Sequence, residues 1–423
     1  MTRSSLDRQR HGTGLFGEGR LWLFLVSLSL ILSGVFALYL AATRQFLPHD
    51  VHFLGLTAEQ LCAVHGCRIV HFMIHDRIAF GGTLVAIGLL YGWLTAGPLR
   101  QRQAWAWWLL LGSGLTGFGS FFAYLGYGYL DSWHGLATLG LLPTFILGLA
   151  RAHSVCPKKV SGTALHKKGV WNFQALRTPA FIGAAEFQTP FFCAGSCRWG
   201  KVPDTFFGPE GRRCLLRARV RAPWRSAAGL GRLFLLATAA GMVAGGLVIM
   251  IVRMTCVFVP QDLAFMGLGA DELRAFNPRL VPLIAHDRAG FGGGACCCGI
   301  AVFFCVWCGQ SSASLWSTLA SVGLAGFGTA IGAHPAVGYE DAVHLAPAVL
   351  GAVAYSLGLI LSFKPMFWGT ERGMREARHA ANAYAQGHVP TGRHSLRRWP
   401  TCLRPEVSAE LTNALPVWLP RVD

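Results

Sequence analysis

Two short groups of histidine, aspartate and arginine occur twice in this chain. His75-Asp76-Arg77 returns as His286-Asp287-Arg288, and Asp131-x-x-His134 returns as Asp341-x-x-His344. Asp50 and Arg68 have counterparts too, in Asp262 and Arg279. Together these residue types offer three kinds of chemistry. Neutral imidazoles ligate transition metals, His and Asp pass protons, and Arg holds anions. His75 with His134, and His286 with His344, are the pairs that would hold a metal or a haem iron. The same residues also have a structural reading. An aspartate at a helix start caps free N–H groups and meets the positive end of the helix dipole, and Arg77 and Arg288 would pair with Asp131 and Asp341 or with lipid phosphates. Both readings stand at the level of sequence.

The first copy carries donors that the second lacks. His49, His52, His65 and His71 align with Gln261, Ala264, Asn277 and Pro282. On a helix, His71 and His75 share a face, and with His134 they form a candidate Zn or Cu set. Cys62 and Cys67 are closely spaced, and a disulfide between them suits an oxidising compartment better than a metal site. Their spacing is not the Cys-x-x-Cys-His pattern of covalent haem. Cys296, Cys297, Cys298, Cys305 and Cys308 of the second copy read as small apolar packing residues.

The elements that must position these groups follow from a duplication. Residues 46–82 align with residues 258–293 with one gap, close to half the positions being identical. The chain has 423 residues, 53% hydrophobic and only 13% charged, where a soluble chain carries about 25% charged residues. Much of its surface is therefore expected to face lipid. Apolar stretches near 21–43, 78–97, 105–127, 136–152, 229–251, 289–309, 315–335 and 345–363 approach the roughly 20 residues of a spanning helix. The expected fold is an all-α integral membrane protein of eight transmembrane helices, built as two tandem parallel four-helix repeats. The domain plan is a cytoplasmic tail over 1–18, a first repeat over 19–152, a basic irregular linker over 153–228, a second repeat over 229–363 and a C-terminal tail over 364–423.

The net charge of +17 belongs to topology and not to nucleic-acid binding. Arg3, Arg8 and Arg10, Arg100 and Arg102, the linker, and Arg372, Arg375 and Arg378 fall on one side of an eight-span chain. The positive-inside rule makes that side cytoplasmic, facing anionic lipid, with both termini there and the chain in the cell (inner) membrane. The duplicated loops then face outward. In this plan His-Asp-Arg opens helices two and six, and Asp-x-x-His opens helices four and eight. No Walker loop, Gly-x-Ser-x-Gly elbow, His-Glu-x-x-His or dinucleotide fingerprint is present, so soluble-type nucleotide enzymology has no support. Two functions follow from the clusters. One is movement of a small solute, ion or proton past an outer His/Asp/Arg gate, and the other is a haem- or metal-binding membrane redox protein. A scaffold subunit of a membrane complex is the bland alternative. Substrate, reaction and oligomeric state are not encoded in any motif.

Overall fold

The computed structural model describes residues 19–122, 132–154 and 223–385. Every regular element among them is helical. In chain order they are α1 (Arg20–Ala42), α2 (Pro48–Leu54), α3 (Ala58–Cys62), α4 (Arg68–Ala96), α5 (Ala104–Phe121), α6 (Ser132–Ser154), α7 (Ala227–Thr255), α8 (Pro260–Met266), α9 (Ala270–Phe276), α10 (Leu280–Cys308), α11 (Ala313–Val337) and α12 (Ala342–Ala385). The described residues fall into two units, one reaching to Met366 and one beginning at Phe367. The site lies in the first.

Seven helices are long and apolar enough to cross a membrane. The segment expected over 105–127 is not one of them: α5 has 18 residues, and its Trp and Gly content dilutes its apolar character. Apolar side chains such as Leu139, Leu324 and Leu350 stand exposed on the outer helices, as lipid-facing residues should. Burial sorts the bundle. The apolar windows of α4 and α10 are 61% buried, against 17–28% for the other five candidates, so these two helices form the centre.

Both central helices start well before their expected positions, at Arg68 and Leu280 in place of 78 and 289. Each has 29 residues, about 43 Å at 1.5 Å per residue, which exceeds a hydrocarbon core of about 30 Å. The His-Asp-Arg groups therefore sit about two turns inside their helices and do not open them. Hydropathy starts these helices too late because it counts ionisable residues as breaks, whereas residues that pair with one another can stay in a helix.

Glycine sets the packing of α1 on α4 and of α7 on α10. A Cβ on Gly34 would lie 2.5 Å from the Gly81 carbonyl oxygen, and one on Gly246 would lie 2.5 Å from that of Gly292. Only glycine allows such close backbone approach. Other contacts cross between the halves of the chain. α11 packs on α4, α5 packs on α10, and α4 meets α10. Two apolar cores result. One, around Leu90, Leu94, Leu110, Val302 and Leu319, fills the end nearer Ala96. The other, around Phe72, Met73, Met266, Leu273 and Tyr339, lies under the short helices.

Those short helices are fixed by local chemistry. Pro48 and Pro260 occupy the first turns of α2 and α8, where no N–H is needed. Asp50 and Asp262 accept the N–H groups of Leu47 and Val259, at 3.3 and 2.9 Å. Thr57 and Gln60 form a capping box, and a disulfide joins Cys62 to Cys67. The glycine contacts make a direct prediction. Gly246→Ala should lower the thermal stability of the detergent-solubilised protein by about 1–3 kcal/mol or more, the usual cost of overpacking. Gly245→Ala, with open space at its Cβ, should leave stability unchanged.

Candidate functional site

At the end of the bundle where α4 and α10 begin, a chain of buried polar groups runs between the halves. Arg288 of α10 is its hub. Its Nε donates to Asp76 Oδ2 of α4 at 2.6 Å, and its Nη2 donates to Asp262 Oδ1 of α8 at 2.9 Å. A further bond from Nη1 makes the Asp262 contact bidentate. The guanidinium lies over the Phe72 ring, 4.2 Å from its centroid, so an aromatic face covers the charge where no water could. Arg288, Asp76 and Asp262 are all buried. The N-terminal half repeats part of this. Arg77 of α4 donates to Asp50 of α2 and, at 3.1 Å, to the Gln45 carbonyl.

Asp76 uses its other oxygen on a histidine: Oδ1 accepts His75 Nδ1 at 3.0 Å. The opposite nitrogen, His75 Nε2, lies 3.3 Å from His334 Nε2 of α11. His334 in turn gives its Nδ1 to the Tyr339 carbonyl at 2.6 Å. The chain makes this last contact by turning back at Gly338, whose φ of 73° is the left-handed conformation that suits glycine at a helix C-terminus. The same turn delivers the Tyr339 hydroxyl to Asp262 Oδ1, at 3.1 Å. Burial, followed by the Asp262 carboxylate, pushes the Tyr339 phenol well above its usual pKa, so it remains a donor. His344 of α12 completes the group. Its ring is 5.6 Å from that of His75 and 5.5 Å from that of His334, and Asp341 accepts its backbone N–H at 2.7 Å. One ligand atom from each of His75, His334 and His344 lies within 4.8 Å of the others.

The hydrogen bonds decide the tautomers. A carboxylate and a carbonyl can only accept, so His75 and His334 both carry their proton on Nδ1. Both Nε2 atoms are then lone-pair acceptors 3.3 Å apart, with the two rings edge-on at 76°. Two such atoms need a positive charge between them, either a shared proton or a metal ion. A tetrahedral ion with Zn–N bonds of 2.0–2.1 Å places two ligand nitrogens about 3.3 Å apart. An Asp carboxylate and a backbone carbonyl are also the partners that commonly hold the second nitrogen of metal-ligating histidines.

Of the residues singled out by sequence, His75, Asp76, Arg288 and His344 come together here. His344, paired in the sequence reading with His286, packs against the ring of His75 because the halves cross. Arg77 joins Asp50. Asp287 has a buried Oδ2 without a hydrogen-bond partner. His286 is buried and meets Phe121 edge-on at 6.1 Å, outside the histidine trio. His71 also lies outside the trio and lines a lateral groove. Asp131 and the His134 side chain lie outside the described residues.

Sequence reasoning did not select His334, Tyr339 or Asp262 as site residues. Asp262 was visible as a matched position. His334 has no counterpart in the first copy, so the duplication could not flag it. The available signal was an ionisable residue inside an apolar span, which is a functional candidate by default. No family model, no curated protein and no solved structure matches this chain.

The Arg288 network predicts a contrast between two ion pairs. Asp262→Asn leaves a buried guanidinium short of its main partner and should cost about 3–5 kcal/mol in thermal unfolding. Asp271→Asn breaks the exposed pair with Arg274 and should have no measurable effect.

Proposed function

We propose that this chain is an integral membrane protein that holds a divalent transition metal, Zn or Cu, on His75, His334 and His344. The observation that carries this reading is the 3.3 Å approach of two Nε2 atoms whose Nδ1 protons are already committed. Three neutral imidazoles suit both metals, and a three-ligand set leaves one position open to water or to a substrate. Four membrane-crossing helices per repeat, in two parallel tandem repeats, remain the architecture that best accounts for the recurring order of short and long helices. The outward orientation is supported by α4: the Cys62–Cys67 disulfide precedes one end, and basic Arg100 and Arg102 follow the other. In this reading the disulfide sits in an oxidising space, the arginines in the cytoplasm and the histidines near the outer face of a cell membrane.

A second reading rests on the same contact. One proton shared between His75 and His334 would make an imidazole–imidazolium pair, fitted to passing protons and hence to transport. Elemental analysis separates the two. Purified in mild detergent and supplied with Zn or Cu, the wild-type protein should retain close to one ion per chain. His334→Ala should lose it, Asp76→Asn should weaken binding by about 10–100-fold, and His71→Ala should retain it. A metal-free wild type under both supplements would discard the metal site and leave the shared proton.

A further inference from the structure

A second feature lies on the outside of the same end of the bundle. Between α1, α4 and α11 runs an open lateral groove of about 460 Å³. This is within the roughly 300–1,000 Å³ of small-molecule sites. Its floor is cut by small residues one turn apart on α11, namely Gly328, Gly332 and Ala336. Its walls are apolar, from Leu38 of α1, Ile74 and Ile78 of α4 and Val337 of α11. Arg44 and His71 are the two basic side chains that line it. Arg44 follows the C-terminal end of α1, and His71 lies near the start of α4, so both belong to the same end of the groove as the His-Asp-Arg cluster. His71 Nε2 is sealed from solvent and has no hydrogen-bond partner.

We infer that this groove seats an anionic phospholipid, with an acyl chain along the apolar walls and the phosphate between Arg44 and His71. The argument is one of complementarity. The walls belong to helices apolar enough to span a membrane, so an acyl chain is the apolar material that reaches them. A guanidinium at the mouth selects negative charge, and phosphate oxygens can accept from it in a bidentate geometry. A phosphate oxygen also gives His71 Nε2 an acceptor when that nitrogen carries the proton. A neutral amphiphile would fill the same walls but leave the charge of Arg44 unused.

The test uses the full chain in nanodiscs of equal parts phosphatidylglycerol and phosphatidylcholine, released for native mass spectrometry. The wild type should retain one phosphatidylglycerol per chain in preference to phosphatidylcholine. Gly332→Phe should lose the lipid without losing thermal stability, because a Cβ at Gly332 meets nothing within 4 Å and the ring fills the groove. Arg44→Gln should bring retention of the two lipids to parity. Retention of phosphatidylglycerol by Gly332→Phe, an undiminished preference in Arg44→Gln, equal retention of both lipids by the wild type, or an uncharged occupant would each overturn the inference. Metal content measured on the same samples keeps this outcome separate from that of the histidine site.

Discussion

Buried opposite charges in this molecule have to satisfy one another, and the meeting of Arg288 with Asp262 and Asp76 is where that requirement binds three elements at once. Each ion taken out of water costs several kcal/mol, recovered only with close geometry and additional hydrogen bonds. Arg288 has both, since it spans α10, α8 and α4 and rests on the face of Phe72. Asp262 cannot move freely either. It also accepts the Val259 N–H that starts α8 and the Tyr339 hydroxyl that follows α11. One carboxylate thus ties a helix start, a helix end and the central helix to a common point. The histidine site is built on this point through Asp76, whose two oxygens serve Arg288 and His75 separately.

The duplication made half of this legible. Asp50 and Asp262, Arg77 and Arg288, and Asp76 stood out because two copies kept them, and Asp50 with Arg77 pairs as Asp262 with Arg288 does. Residue identity could not show where helices begin. The expected starts at 78 and 289 follow the ionisable His-Asp-Arg groups, although the helices begin at Arg68 and Leu280. Partnership was equally hidden. Local reasoning pairs residues within a copy, whereas α11 packs on α4 and α5 on α10, so His75 meets histidines some 260 residues away in sequence.

The two copies are alike in backbone plan and unequal in chemistry. Asp76 has a guanidinium and an imidazole, while its counterpart Asp287 keeps a buried oxygen with no hydrogen bond. His75 faces His334 and His344, while its counterpart His286 meets the ring of Phe121. A duplicated framework supplies two similar seams. In the proposed metal reading, a residue that differs between the copies, His334, completes the ligand set, and the kept residues provide the frame.

Rigidity is what gives the histidine contact its chemical meaning. Two solvent-exposed imidazoles with facing lone pairs would rotate apart, and their separation would say nothing. Here His75 is held through Asp76 to Arg288, and His334 is held through the Tyr339 carbonyl by the turn at Gly338. Both rings are buried and neither can turn without breaking a hydrogen bond. The cost of bringing two acceptor nitrogens to 3.3 Å is thus met by the fold before any cation arrives. In the metal reading a cation would find its ligands already placed, so little ordering entropy would oppose its binding.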